Sequence, residues 1–94
     1  MRYFRALASI FKKRRIKFLG RVGLHFFRED KTYFVDSELV AAKDFDVILY
    51  GENVNLVEGN SKTALQKNEA KKILEEVKQE LWKMGIRYRT SGYL

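Results

Sequence analysis

Ala70, Ile73, Leu74, Val77, Leu81 and Met84 follow one another at i, i+3, i+4, i+7, i+11 and i+14. That spacing places all six on one side of a helix. A stripe of this kind has to be buried against a second layer, and it constrains the fold more than anything else in the chain. The remaining apolar residues show what that layer is. Ile16, Phe18, Val22, Leu24 and Phe26 all occupy even positions, with Arg15, Lys17, Arg21 and His25 between them. This is a period of two, the mark of a strand with one buried face. Gly20 and Gly23 would permit a bend or bulge within it.

Further strands follow. "RED" at 28–30 reads as a turn, and "KTYFVDSEL" as the returning strand of a hairpin. "FDVILYG" is apolar enough to be central. "GEN" at 51–53 reads as a tight turn into a fourth strand, "VNLVE". "GNSK" is a loop, and Thr63-Ala64-Leu65-Gln66 fits a capping box that opens a helix running to Met84, with Gly85 as its terminator. "IRYRT" alternates again and would rejoin the sheet. Near the start, Tyr3, Phe4, Leu7, Ile10 and Phe11 share one arc of a short helix, with cations opposite. The expected fold is α+β: a mostly antiparallel four- or five-stranded sheet, a long C-terminal helix on one face and a short N-terminal helix. It forms a single domain over 1–94, with a basic amphipathic helix at 1–14, strands over 15–58, the long helix at 63–84 and a last strand at 86–90. Burying the six stripe residues at about 1–3 kcal/mol each would supply much of the stabilisation.

Composition narrows the chemistry. The chain has 94 residues, 46% of them hydrophobic, with no cysteine and no proline. Disulfides, thiol nucleophiles and cysteine zinc sites are excluded. No apolar run approaches the roughly eighteen residues of a membrane span. "ALASIF" is short, and its cations follow it rather than precede it, so a signal peptide is not expected and the cytoplasm is the default location. His25 is the only histidine, and without a nucleophile and an orienting partner it makes no catalytic set. The glycines form neither a phosphate-binding loop nor a dinucleotide fingerprint. No enzyme and no cofactor are expected.

Charge points toward partners. The net charge of +7 is unevenly distributed: residues 1–22 carry eight cations and no acid, whereas residues 29–58 carry eight acids and two lysines. In the acidic middle, Asp36 and Glu38 alternate on a strand, Asp44 and Asp46 flank Phe45, and Glu52 follows. Such carboxylates could hold a hard metal, keep a strand face solvated against edge pairing, or imitate a phosphate backbone and dock in the basic groove of a partner. In the basic head, Lys12, Lys13, Arg14, Arg15, Lys17 and Arg21 supply enough cations for nucleic-acid binding. Its aromatics, however, fall at positions assigned to apolar faces, and no aromatic RNA-reading motif is visible. A membrane foot is a third reading of the N-terminal helix, although twelve residues are short for anchoring. The plainest reading is a packed helix with hydrated cations. Trp82, one residue past Leu81, either widens the apolar face or stands as an interface anchor.

From about residue 24 to 90 the chain resembles the small bacterial immunity proteins of polymorphic toxin systems, the seventy-fourth immunity family. The resemblance rests on "YFVDSELVAAKDFDVILYGENVNL" and "NEAKKILEEVKQELWKMGIRYR": Ser37-Glu38-Leu39 at a strand ending, an apolar strand from Phe45 to Tyr50, and an "ILEEVKQEL" helix before a glycine. It implies a non-enzymatic protein that binds and blocks a toxin domain. Under that reading the contact surface is Asp36, Glu38, Asp44, Asp46 and Glu52, chosen by charge. A nucleic-acid binder using residues 12–21 is the alternative, and the oligomeric state is left open.

Overall fold

The computed structural model describes residues 15–91. The expected N-terminal helix, with Lys12, Lys13 and Arg14, lies outside the described residues. Within them the protein is α+β. The elements run β1 (Ile16–Phe18), β2 (Val22–Arg28), β3 (Lys31–Leu39), β4 (Val47–Glu58), β5 (Ser61–Ala64), α1 (Lys67–Lys83) and β6 (Tyr88–Ser91). β1 to β5 form a continuous antiparallel meander in chain order. β6 lies parallel to β4 and pairs with Val47–Tyr50, while β5 pairs with Asn55–Glu58. The twelve-residue β4 therefore serves two short strands along the edge away from β3.

Turn chemistry explains the hairpins. Glu29 adopts φ 58 in the two-residue turn closed by Arg28 and Lys31, and Gly59 adopts φ 61 in the turn closed by Glu58 and Ser61. Two-residue hairpins need such left-handed positions to match strand twist. The helix stops at Gly85, with φ 74: the Ile86 N–H donates to the Leu81 carbonyl at 2.9 Å and the Gly85 N–H to that of Trp82 at 3.0 Å. Those two bonds make a Schellman ending, which satisfies carbonyls the helix would otherwise leave open.

α1 lies across β4 and β1. Ala70, Ile73, Leu74, Val77 and Leu81 are buried against Ile16, Leu24, Phe26, Tyr33, Val35, Val47, Leu49 and Val54. The stripe thus meets the sheet as expected. Its last member, Met84, lies beyond the helix and is 39% exposed.

Four expectations are corrected. The even-numbered run Ile16–Phe26 is two strands, and Val22 leaves its set: the register slips between Val22 and Leu24, Gly23 takes φ 86, and Val22 is 59% exposed. A bulge of one residue sends the next side chain to the opposite face. Second, Gly51-Glu52-Asn53 does not turn. β4 continues through it, and the extra residues are absorbed as an irregularity opposite Asp36. Third, Thr63 caps nothing. Ser61–Ala64 pairs with β4, and α1 starts at Lys67 after Gln66, whose backbone is extended and whose side chain makes no capping bond. Last, the closing strand is Tyr88–Ser91 rather than 86–90. These changes bring the sheet to six strands among the described residues.

Candidate functional site

Alternation on the strands leaves the face opposite α1 with its own set of side chains, and no described element packs over it. Cross-strand pairing arranges them in rows. One row is Lys17, His25, Phe34, Asn55 and Ala64, and the next is Phe27, Thr32, Val57 and Lys62. Towards the other end come Asp36 and then Val22, Glu38, Ile48 and Arg89. The open face is therefore aromatic and basic at the β2–β3 turn, and acidic at the other end.

At the acidic end two carboxylates are positioned by neighbours on β4. Tyr50 Oη donates to Glu38 Oε1 at 3.0 Å, and Asn53 Nδ2 donates to Asp36 Oδ2 at 3.3 Å. Asn53 is itself held by Asn55 Nδ2 at 2.8 Å. The bond to Glu38, then burial, then the charges of Glu38 and Asp36, raise the Tyr50 phenol above its ordinary value. Among the described residues neither Asp36 nor Glu38 forms an ion pair. Glu52 is exposed on the irregular part of β4 that lies opposite Asp36.

Asp44 and Asp46 are elsewhere, in the segment between β3 and β4. Asp44 is exposed. Asp46 is neutralised by Arg87: it accepts from the Arg87 backbone N–H at 3.0 Å, from Nε at 3.2 Å and from Nη2 at 3.0 Å. Arg87 Nη1 also donates to the Lys43 carbonyl at 2.8 Å. The guanidinium bonds, then the backbone bond, hold the Asp46 carboxyl below its ordinary value. Asp46 anchors the chain entering β6. The expected five-residue acidic surface therefore reduces to Asp36 and Glu38, with Glu52 beside them. Among the described residues no three His, Asp or Glu side chains come together as metal ligands.

The basic segment also divides. Arg15, expected to stay hydrated, turns over the sheet edge towards the helix. Its Nη1 bonds Glu80 Oε1 at 3.1 Å, Nη2 lies 3.6 Å from Glu76, and the guanidinium sits 5.0 Å above the Phe26 ring. Arg28 adds a second tie to Glu76 at 3.0 Å. Lys17 projects from the open face, and Arg21 is exposed in the turn after β1. Residues 15–21 do not form one strip.

The aromatic end was not read from the spacing. His25 makes edge contacts with Phe27 and Phe34, with centroids at 6.3 and 6.5 Å, and Lys62 Nζ lies 3.9 Å over Phe34. Burial, then the charges of Lys62 and Lys17, lower the His25 imidazole below its ordinary value. The doublets Phe26-Phe27 and Tyr33-Phe34 carried the signal. Successive strand residues point to opposite faces, so each doublet must send one ring outward. Trp82 is 77% exposed on the outer side of α1, beside Tyr88 in a shallow recess of about 350 Å³. It does not widen the apolar face.

No helix among the described residues is long and apolar enough to cross a membrane. No family model matches the chain, and no curated protein or solved structure is similar to it.

Proposed function

We propose that this chain is a non-enzymatic protein-binding module that captures and blocks a toxin domain in the cytoplasm, docking through the acidic end of its open sheet face. One observation carries the reading. Asp36 and Glu38 stand two residues apart on β3, oriented by Asn53 and Tyr50, on a face that no described element covers. Carboxylates fixed in this way keep their charge available and have already lost the side-chain freedom that binding would otherwise take away. The complementary partner presents a cationic groove, the kind a nucleic-acid-cleaving domain uses to hold phosphates. The resemblance to immunity proteins points to the same class of partner.

The test is protection. The chain is co-expressed with the product of the gene immediately upstream, tested as a toxin; survival is scored, and affinity is measured on the purified pair. Asp36→Lys with Glu38→Lys should abolish protection and weaken binding by about a hundredfold or more, because like charges would then face each other. Asp44→Asn should change little. Full protection by the double variant, or none by the parent chain, would overturn the proposal.

A further inference from the structure

The opposite end of the open face carries a second and different set of groups. Lys17, on β1, and Lys62, on β5, bracket three rings: His25, Phe27 and Phe34. The strands that carry the lysines lie about four spacings apart, or roughly 19 Å, and Lys62 reaches back from β5 so that its ammonium lies 3.9 Å over the Phe34 ring. Phe27 is 37% exposed, and Phe34 and His25 are half-buried. Phe34 lies against the backbone of β2, where a Cβ on Gly23 would stand only 2.9 Å from its ring. Gly23 thus permits a ring to lie against the strand, and the core on the other face makes no use of that ring. Burial, and after it the charges of Lys62 and Lys17, hold the His25 imidazole below its ordinary value.

We propose that this end of the face is a stacking platform for single-stranded nucleic acid. Bases have a flat apolar face of any sequence, and side chains such as Phe and His stack on it. Phosphates want cations: Lys17 stands at one flank, and the Lys62 ammonium, 3.9 Å over the Phe34 ring, swings off that ring to meet a phosphate as a base takes its place. Asn55, in the same row as His25 and Phe34, offers an amide to base edges. Asp36, the next open-face position along β3, repels phosphate. The strand's path therefore runs across the β-strands from Lys17 to Lys62 and spans on the order of four nucleotides. A duplex cannot bring its stacked bases to these rings. An acidic polypeptide would satisfy the lysines and leave the rings unused. This site goes beyond the toxin-blocking reading and does not depend on it.

The test is fluorescence anisotropy of labelled oligothymidylate and oligouridylate of about twelve nucleotides with the full chain, from about 25 to about 300 mM salt. Phe27→Ala and Phe34→Leu should each weaken binding about tenfold at fixed salt and leave the salt slope unchanged. Lys17→Gln and Lys62→Gln should each lower that slope by roughly 0.7. The ratio of the two affinities says whether DNA or RNA is preferred. Backbone amide spectra of each variant establish that the fold persists, and binding should also raise the His25 pKa in the parent chain. Four outcomes overturn the proposal: no binding at the lowest salt, a duplex bound as tightly as a single strand, displacement by polyglutamate as effective as by unlabelled oligonucleotide, or binding lost on neutralising Lys12, Lys13 and Arg14 while the phenylalanine variants bind normally.

Discussion

The two faces of the sheet are built from the same strands by alternate residues, and they solve different problems. On the face towards α1, Ile16, Leu24, Phe26, Val35, Val47 and Leu49 have no exposed surface. On the opposite face, one residue along each strand, Val22 and Phe27 stand out in solvent among lysines and carboxylates. The covered face is chosen by volume, since its side chains must fill the space under a helix. The open face is under no such demand. An apolar side chain retained there points to something outside the core.

The contrast should appear first in stability. Phe26→Ala removes a ring with no exposed surface and should cost about 3–5 kcal/mol by urea denaturation. Phe27→Ala, its neighbour in sequence, should cost under about 1 kcal/mol. Equal losses would mean that the open face is covered in solution, and the comparison would fail.

Gly23 is where the two faces are forced into their present register. Gly23→Ala would place a methyl 2.9 Å from the Phe34 ring at φ 86, and should cost about 1–3 kcal/mol. Gly59, with φ 61 and open space around it, should cost only about 1 kcal/mol as alanine. The variant should also shift the amide resonances of His25 and Phe34 more than those of α1. An equal cost at both glycines would show that backbone conformation alone matters, and that the ring is free to move away.

How much of this the sequence discloses depends on which physical signal each element uses. The α1 stripe and Gly85 are legible because burial of one helix face leaves a fixed period and helix termination needs a left-handed residue. β5 is not legible. All four of its residues are exposed, so they carry no alternation, and Thr63-x-x-Gln66 satisfies the capping pattern without capping. The turn signal in Gly51-Glu52-Asn53 is outweighed because β4 is paired on both sides of it, with β3 and β6 before it and with β3 and β5 after it. Val22 is misassigned because one bulge inverts the alternation. Charge counting singles out Asp36 and Glu38, which lie two residues apart on β3, but it does not see that Arg87, forty-one residues away, claims Asp46. Phe27 and Phe34 were hidden among core aromatics until strand pairing separated the doublets.

A smaller effect tests how the basic segment is tied to the helix. Glu80 has 14% of its side chain exposed beside Arg15 at 3.1 Å, and Glu80→Gln should cost about 0.5–1 kcal/mol, less in high salt. The open face should keep its His25 contacts in this variant. Loss of binding at the aromatic end through a change on the helix side would mean that the two faces are not independent.

The smallest effect is the pH dependence of the open face. The chain has one histidine, so a stability change between about pH 7 and pH 5.5 belongs to His25. Its folded pKa is lowered by burial and then by Lys62 and Lys17, so the unfolded chain binds the proton more readily. Stability is therefore full above the unfolded value near 6.5. It declines as pH falls towards the folded value and is level again below it. His25→Asn should flatten that slope, and Lys62→Gln should reduce it by moving the folded pKa back up, which the single imidazole resonance would report directly. If Lys62→Gln left the imidazole titration unchanged, the ammonium would not hold its place over Phe34, and the basic end of the face would lose the charge that distinguishes it from the acidic one.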